Sequence, residues 1–157
     1  MENKKYIGII GGSSVSEEIY RLAEQTGSLI AQRNGIVVCG GLSGVMEAVA
    51  KGAKGANGTV IGILPGKQKD DANPFIDHII PTGFGIARNM IIINTADILI
   101  AINGQYGTLS EIAFALNSNK KVITLKSQWD LENTIPADTP EEAVNIAFTL
   151  LDKMIRG

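Results

Sequence analysis

The stretch from residue 103 to residue 111, Asn-Gly-Gln-Tyr-Gly-Thr-Leu-Ser-Glu, has the residue types and spacing needed to bind an anion. The apolar run 96–102 before it is typical of a buried strand, and a helix is predicted from Leu109 to Leu116. A strand, a turn with two glycines and a helix start leave backbone N–H groups pointing outward, where the helix dipole adds positive charge. We therefore expect this loop to form the floor of a phosphate site. The residues predicted to bind there are Gly104, Gln105, Tyr106, Gly107 and Thr108.

Three side chains of this loop have alternative roles that spacing alone leaves open. Thr108 either caps the helix or donates its hydroxyl to a bound oxygen. The spacing from Thr108 to Glu111 fits a capping box, in which Glu111 bonds back to the Thr108 N–H group and has no chemical role. Alternatively, Glu111 points into the pocket as a general base or as an acceptor for a sugar hydroxyl. Tyr106 either stacks on a planar ring or is simply exposed.

Arg88 lies in a predicted helix, residues 85–95, that is apolar almost all round. The neighbouring residues 86–93 are expected to bury most of that helix, and a buried guanidinium needs a partner. One hypothesis is that Arg88 binds a ligand phosphate or carboxylate beside Glu111. The alternative is a structural ion pair, or a side chain that reaches solvent from a helix end. We favour ligand binding, because arginine suits planar recognition of anions.

Two more glycine-rich turns, residues 11–14 and 40–44, follow the first and second predicted strands. Turns that leave the strands of an open parallel sheet gather at its carboxyl edge, where ligands bind. Three such turns at one edge suggest that backbone approaches a ligand closely. The residues predicted from these two turns are Gly12, Ser13, Gly40, Gly41 and Gly44.

Two common nucleotide motifs are absent. The dinucleotide fingerprint Gly-x-Gly-x-x-Gly is not met at Gly11 or Gly40, and no acidic residue ends the second strand. A triphosphate-binding loop is briefly suggested at 64–68, but Gln68 replaces the required Ser or Thr. We interpret the only histidine, His78, and the only cysteine, Cys39, as structural. The histidine has no visible catalytic partner, and a cysteine at the end of a buried strand is most often a small apolar filler. No metal site is predicted.

Strand and helix patterns alternate along the chain, which predicts an α/β domain with a parallel sheet of six or seven strands. No repeat or linker divides residues 1–157, so one domain is expected. The polar segment 67–75 is predicted to be a flexible loop, and 129–140 an irregular link.

The composition is that of a globular protein, with 45% hydrophobic and 19% charged residues and a net charge of −2. The Lys and Arg residues are scattered, which argues against nucleic-acid binding. One cysteine excludes an internal disulfide and a Cys-rich zinc site. No apolar run approaches the roughly 18 residues of a membrane span. The apolar run 6–10 is shorter than a secretory h-region, so a cytoplasmic protein is expected.

Three groups of residues resemble a known superfamily in order and spacing. They are the run 40–46 (Gly-Gly-Leu-Ser-Gly-Val-Met), the pair Arg88-Asn89, and Gly104-x-x-Gly107-Thr108-x-x-Glu111. This superfamily was once mislabelled as lysine decarboxylases, and its best-known enzymes are the cytokinin-activating "lonely guy" phosphoribohydrolases. Within it, the chain looks most like the molybdenum-cofactor carrier proteins and their bacterial relatives. The resemblance covers nearly the whole chain and implies a Rossmann-like three-layer sandwich.

By that resemblance, Gly104, Gly107 and Thr108 would bind phosphate. Arg88 and Glu111 would occupy the positions of the two catalytic groups.

The chain departs from the phosphoribohydrolase pattern, Pro-Gly-Gly-x-Gly-Thr-x-x-Glu with Arg-Lys, at three positions. Asn103, Gln105 and Asn89 replace the proline, the second glycine and the lysine. Gln105 brings a side chain where the enzymes keep backbone bare, and Asn89 removes a positive charge. The carrier-type relatives tend to show the same departures, so the resemblance implies phosphate binding more firmly than hydrolysis.

Two hypotheses for the function follow. The first is a binding or carrier protein for a molybdopterin-type cofactor or a nucleotide, with no metal required of the protein itself. The second is an enzyme that hydrolyses the N-glycosidic bond of a nucleoside 5′-monophosphate, in which Glu111 activates water or holds the ribose and Arg88 stabilises developing charge. A third, weaker hypothesis makes the helix 86–93 an oligomer interface. Relatives in the superfamily form homo-oligomers, so a dimer or tetramer is expected.

Overall fold

Seven parallel strands form the central sheet of the computed structural model, which describes residues 3–157. The strands are β1 (Lys5–Gly11), β2 (Gly35–Cys39), β3 (Thr59–Leu64), β4 (His78–Pro81), β5 (Ile98–Ile102), β6 (Val122–Leu125) and β7 (Ile135–Ala137). Their order across the sheet is β4-β3-β2-β1-β5-β6-β7. The predicted α/β class and the parallel sheet are confirmed.

Five helices cover the two faces of this sheet. They are α1 (Glu17–Gln32), α2 (Val45–Gly55), α3 (Arg88–Thr95), α4 (Tyr106–Asn117) and α5 (Pro140–Arg156). α1, α2 and α5 pack on one face, and the shorter α3 and the 12-residue α4 pack on the other. The result is the three-layer sandwich that the sequence predicted.

The central strands are buried on both faces. Every residue of β2, β5 and β6 is buried, and nearly all of them are apolar. Such continuous apolar runs are typical of parallel strands that are covered by helices on both sides. The turns that leave these strands at the carboxyl edge contain exposed residues, such as Ser14 and Ser43.

One strand lies in a segment predicted to be irregular. β7 has only three residues, Ile135–Ala137, and includes Pro136, so the segment 129–140 carries little strand signal. It pairs with β6 at the edge of the sheet, where a proline is tolerated because no further strand needs its missing N–H group.

The segment 67–75 is hydrogen-bonded to the turn after β2. It contains a short 3-10 turn, Lys69–Asp71. The Asn73 backbone N–H group donates to the Gly41 carbonyl oxygen at 2.9 Å, and the Asn73 side-chain Nδ2 donates to the Leu42 carbonyl oxygen at 2.8 Å. These two hydrogen bonds hold the segment against the turn after β2 and stabilise that turn.

Candidate functional site

A cleft of about 890 Å³ lies over the carboxyl ends of β1 and β5. These strands are neighbours in the sheet, but the chain leaves β1 toward β2 and leaves β5 toward β6, on the opposite side. Such diverging connections open a crevice, and ligands of open parallel sheets bind in it. Its lining comes mainly from the turns after β1, β2 and β5 and from the starts of α1, α3 and α4.

The turn after β5 depends on glycine at one position. Asn103 and Gly104 both have positive φ angles, of 50° and 103°. A Cβ atom on Gly104 would lie 2.3 Å from the side chain of Thr108. The Asn103 N–H group donates to the Leu125 carbonyl oxygen at 2.8 Å, which anchors the turn to the end of β6. Both the φ angle and the close approach therefore require that Gly104 have no side chain.

α4 begins at Tyr106, earlier than the predicted start at Leu109. Its N-cap residue is Gln105, and no side chain caps this end of the helix. The capping role predicted as one option for Thr108 is therefore wrong, since Thr108 is buried within the first turn. The first N–H groups of a helix have no partners within it, and Gly107 and Thr108 line the cleft. The positive end of the α4 dipole thus lies at the cleft.

Arg88 is buried at the start of α3, with 9% of its surface exposed. Its Nε–H group donates to the Ile63 carbonyl oxygen at 2.8 Å, and Nη2 donates to the Gly40 carbonyl oxygen at 3.5 Å. The guanidinium therefore ties together the carboxyl ends of β2 and β3. Arg88 forms no salt bridge with any carboxylate of residues 3–157. Burial lowers the pKa of Arg88, and the charge of Glu111 opposes this shift.

Gly40 makes room for this guanidinium. A Cβ atom on Gly40 would lie 2.5 Å from Nη2 of Arg88 and 2.5 Å from the sulfur of Met46. Gly40, which is predicted to approach a ligand, does line the cleft. Its lack of a side chain leaves the space that the Arg88 guanidinium occupies.

Asn89 connects Arg88 to Glu111. The Asn89 Oδ1 atom accepts a hydrogen bond from Nη1 of Arg88, and its Nδ2 atom donates to Oε1 of Glu111 at 3.2 Å. Glu111 therefore lines the cleft and does not bond back to Thr108, so the capping-box alternative is wrong. Burial raises the pKa of Glu111 to about 7, and the charge of Arg88 offsets only part of that shift. A carboxyl with such a pKa can gain or lose a proton near neutral pH.

The turn after β1 and the start of α1 form another wall of the cleft, which includes Gly12 and Ser13. The Oγ atom of Ser16 accepts a hydrogen bond from the Ile19 N–H group at 3.3 Å and so caps α1. The Ser16 side chain therefore caps the N-terminal end of α1, whereas no side chain caps the N-terminal end of α4. Of these two helix starts, α4 offers the better place for an anion.

Part of the lining is aliphatic, and none of it is aromatic. The aliphatic side chains include Val15, Leu42, Met46 and Ile86. Ile86 is 78% exposed, although it is one of the neighbours of Arg88 that were expected to bury most of the predicted helix. The reason is that Gly85–Ala87 forms a 3-10 turn at the rim of the cleft, and the α-helix begins only at Arg88.

Three of the predicted residues, Gly41, Gly44 and Tyr106, do not line the cleft. Tyr106 is 78% exposed, and its ring centroid lies 5.5 Å from that of Trp129. Gly41 and Gly44 have positive φ angles, and a Cβ atom on Gly44 would lie 2.3 Å from the Gly12 carbonyl oxygen. The two glycines therefore shape the β2 turn, and Gly44 lets it pack against the β1 turn. The other nine predicted residues line the cleft: Gly12, Ser13, Gly40, Arg88, Gly104, Gln105, Gly107, Thr108 and Glu111.

Gln128 lines the cleft without having been predicted. Its Nε2 atom donates to the Gly104 carbonyl oxygen at 2.7 Å. One signal was available, since Gln128 follows a predicted strand whose carboxyl end reaches the same edge of the sheet. Ser14 and Ser16, from the β1 turn, also line the cleft unpredicted.

Within residues 3–157, no three His, Cys, Asp or Glu side chains come together in a way that would bind a metal ion. No helix of these residues combines the length and the apolar character needed to cross a lipid bilayer.

Comparison with known proteins identifies the family. The profile of the SLOG cluster4 family (LDcluster4) matches residues 4–152. The chain belongs to this family. The family match agrees with the superfamily resemblance noted from residues 40–46, 88–89 and 104–111.

Among solved structures, this family member is similar to a molybdenum cofactor binding protein from the phototrophic bacterium Rippkaea orientalis. The TM-score is 0.90 at 34% identity, over 96% of this chain and 99% of that one. It is also similar to the molybdenum cofactor carrier protein of Chlamydomonas reinhardtii, with a TM-score of 0.87 at 32% identity over 95% and 99% of the two chains. The whole fold is thus shared with both proteins.

Among curated sequences, the family member is 50% identical to an uncharacterized protein of Archaeoglobus fulgidus over 91% of this chain and 94% of the relative. It is 30% identical to the cytokinin riboside 5′-monophosphate phosphoribohydrolase of Mycobacterium tuberculosis over 74% of this chain and 67% of the relative. Both groups named in the resemblance are therefore relatives.

Proposed function

We propose that this protein is a carrier that binds a phosphate-bearing cofactor of the molybdopterin type, or a related nucleotide, in the cleft over β1 and β5. The phosphate binds at the start of α4, next to Gly107 and Thr108. Arg88 contributes positive charge from the start of α3. Gly12 and Ser13 close the site from the turn after β1.

The observation that carries this proposal is the open start of α4 at a large cleft. The α4 end has no side-chain cap, whereas Ser16 caps the neighbouring start of α1. An uncapped helix start with a glycine in its first turn provides N–H donors and positive potential for a phosphate. The full-length similarity to two proteins that bind or carry the molybdenum cofactor supports the choice of ligand.

The first experiment looks for the ligand directly. The protein is purified from a host that makes the molybdenum cofactor, and the denatured eluate is searched for oxidised pterin by fluorescence and for nucleotides by mass spectrometry. We expect a stoichiometric pterin. The carrier function would be refuted if the eluate contained neither pterin nor nucleotide and calorimetry showed no heat of binding for either.

A matched pair of variants locates the phosphate. Apart from its neighbours in the same helix, a Cβ atom on Gly107 would meet no atom within 4 Å, so Gly107→Ala and Gly107→Asp each add a side chain at an open position. An aspartate in the first turn also suits the helix dipole, so Gly107→Asp should keep its melting temperature. We expect Gly107→Asp to lose the ligand, because its carboxylate occupies and repels the phosphate position. The Gly107→Ala control should lose much less. Ligand bound equally by both variants would place the phosphate elsewhere.

A second candidate function is the hydrolysis of nucleoside 5′-monophosphates. It is favoured by the arrangement of Arg88 and Glu111, which line one cleft and are bridged by Asn89. A pKa of about 7 for Glu111 suits a general acid or base at neutral pH. The relative from Mycobacterium tuberculosis supports this activity more distantly.

The second candidate is tested with a panel of nucleoside 5′-monophosphates, by following the release of free base and ribose 5-phosphate. Hydrolysis by the wild type that disappears in Glu111→Gln and in Arg88→Ala would establish the activity and the two roles. Hydrolysis unchanged in both variants would show that these residues are not the catalytic groups.

We also propose that the protein forms a homo-oligomer, at least a dimer. The layer of α3 and α4 leaves apolar side chains exposed, among them Phe114, which is 53% exposed. A second copy would bury them.

A further inference from the structure

Glu111 lies one helical turn from the proposed phosphate position. Gly107 and Thr108 precede Glu111 by four and three residues on α4, so all three share one face of the helix. A carboxylate and a bound phosphate on the same face repel each other unless a cation lies between them or one of them gains a proton.

No cation of the described residues is paired with the Glu111 carboxylate. The guanidinium of Arg88 is directed to the carbonyl oxygens of Ile63 and Gly40, and it reaches Glu111 only through Asn89. Because the Asn89 oxygen is taken by Arg88, its amide nitrogen is the group that must face Glu111. This neutral donor leaves the negative charge of Glu111 in place.

The other elements around α4 supply no further charge. β5 and β6 consist of uncharged residues, and the charged Lys5 lies at the far end of β1, away from the carboxyl edge. The titratable side chains near this position are therefore Arg88 on α3 and, beyond it, the buried thiol of Cys39. Tyr106 is the other titratable residue of α4, and it points out to solvent.

We propose that this cleft binds a dianionic group together with one proton, which is taken up by Glu111 and whose position is set by Asn89. The inference rests on the proposed anion site and specifies the charge state in which that site is filled. The carboxylate accepts the proton from solvent as the anion enters, and no other bond forms or breaks. Affinity for the anion therefore rises as the pH falls through neutrality.

The test uses sulfate, because sulfate itself does not titrate near neutral pH. Calorimetric titrations in buffers of different ionisation enthalpy give the number of protons taken up per sulfate bound. With a pKa of about 7 in the free protein, we expect about 0.5 to 0.8 proton per sulfate near pH 7.5 and almost none near pH 5. Glu111→Gln should bind sulfate without proton uptake. Glu132→Gln removes the same charge from an exposed residue outside the cleft and should behave as the wild type.

Each outcome bears on one of the two proposals. Sulfate that binds without proton uptake, or uptake that persists in Glu111→Gln, overturns the inference and leaves the carrier function intact. Sulfate that fails to bind at any pH refutes the anion site itself, and the inference falls with it.

Two variants test the positioning role of Asn89. Asn89→Leu removes the donor to the carboxylate, so Glu111 should hold its proton to higher pH and the maximum of proton uptake should move upward by roughly one pH unit. Asn89→Lys places a cation beside Glu111, keeps it ionised and should abolish the uptake near pH 7.5. If the pH of maximal proton uptake is the same in both variants as in the wild type, Asn89 does not position the proton on Glu111.

Discussion

Glu111 is a partly buried carboxyl that the fold holds without a direct cationic partner. Burial raises its pKa from 4.5 to about 7, and the Arg88 charge opposes this only in part. Because the folded chain binds the Glu111 proton more tightly than the unfolded chain, this residue favours folding when it is protonated. Its contribution is full below about pH 4.5 and declines as the pH rises to about 7.

Glu111→Gln should therefore stabilise the protein at alkaline pH more than at acidic pH. The shift of the pKa from 4.5 to about 7 corresponds to as much as about 3 kcal/mol in the free energy of unfolding. Urea unfolding of wild type and variant at pH 5 and at pH 8 measures the difference between them, which should favour the variant at pH 8. An equal difference at both pH values would show that Glu111 titrates normally.

At the scale of elements, two glycines let α1 and α2 cross in direct backbone contact. A Cβ atom on Gly52 of α2 would lie 1.7 Å from the Glu24 carbonyl oxygen, and one on Gly27 of α1 would lie 2.0 Å from the Val49 carbonyl oxygen. The close crossing brings the two helix starts, and the turns after β1 and β2 that precede them, together at the cleft. Separating these helices would therefore also widen the site.

Gly52→Ala should lower the free energy of unfolding by at least about 2 kcal/mol, since rigid backbone must move to admit the methyl group. Gly55→Ala is the matched control on the same helix, because a Cβ atom there would contact nothing within 4 Å. The control should be stabilised by up to about 1 kcal/mol, the usual gain of alanine over glycine in a helix. Thermal or urea unfolding of the two variants checks this, and similar values for both would contradict the close crossing.

At the scale of the whole molecule, the two helical layers differ in how well they cover the sheet. α1 and α5 have 16 and 17 residues, whereas α3 has only eight. On the α3 side, Ile80 of the edge strand β4 stays 46% exposed next to its register partner Ile63. Exposed apolar surface of this kind is often found at interaction faces, and a second copy is the occupant that we propose for it.

Light scattering should therefore give a mass at least twice the chain mass of 16.6 kDa. Phe114→Glu, on α4, should reduce it to that of a monomer by burying an unpaired charge in the interface. Ile155→Glu is the control, since Ile155 is also exposed, at 58%, but lies on α5 in the opposite layer. A wild-type monomer, or an equal effect of both variants, would rule out an interface on the α3 side.

The sequence by itself determined the α/β class, most strands and helices, and the glycine-rich strand-to-helix turn at residues 103–111. These features depend on hydrophobic period and on glycine chemistry, which are properties of neighbouring residues. It did not distinguish glycines that line the cleft from those that shape a turn, such as Gly44, because the difference lies in contact with another loop. The short β7 also carried too few residues to be recognised.

Only the tertiary structure decided which hydrogen-bond partners Glu111, Arg88 and Gln128 have. Glu111 is bonded to a residue 22 positions away, Arg88 to a carbonyl 48 positions away, and Gln128 to one 24 positions away. Local spacing favoured a capping box for Glu111 as much as a place in the pocket. Glu111 lies in the pocket because α4 begins earlier, at Tyr106, and because Asn89 on the neighbouring helix donates a hydrogen bond to its carboxylate. Such contacts are set by how the strands order themselves in the sheet, which no local pattern encodes.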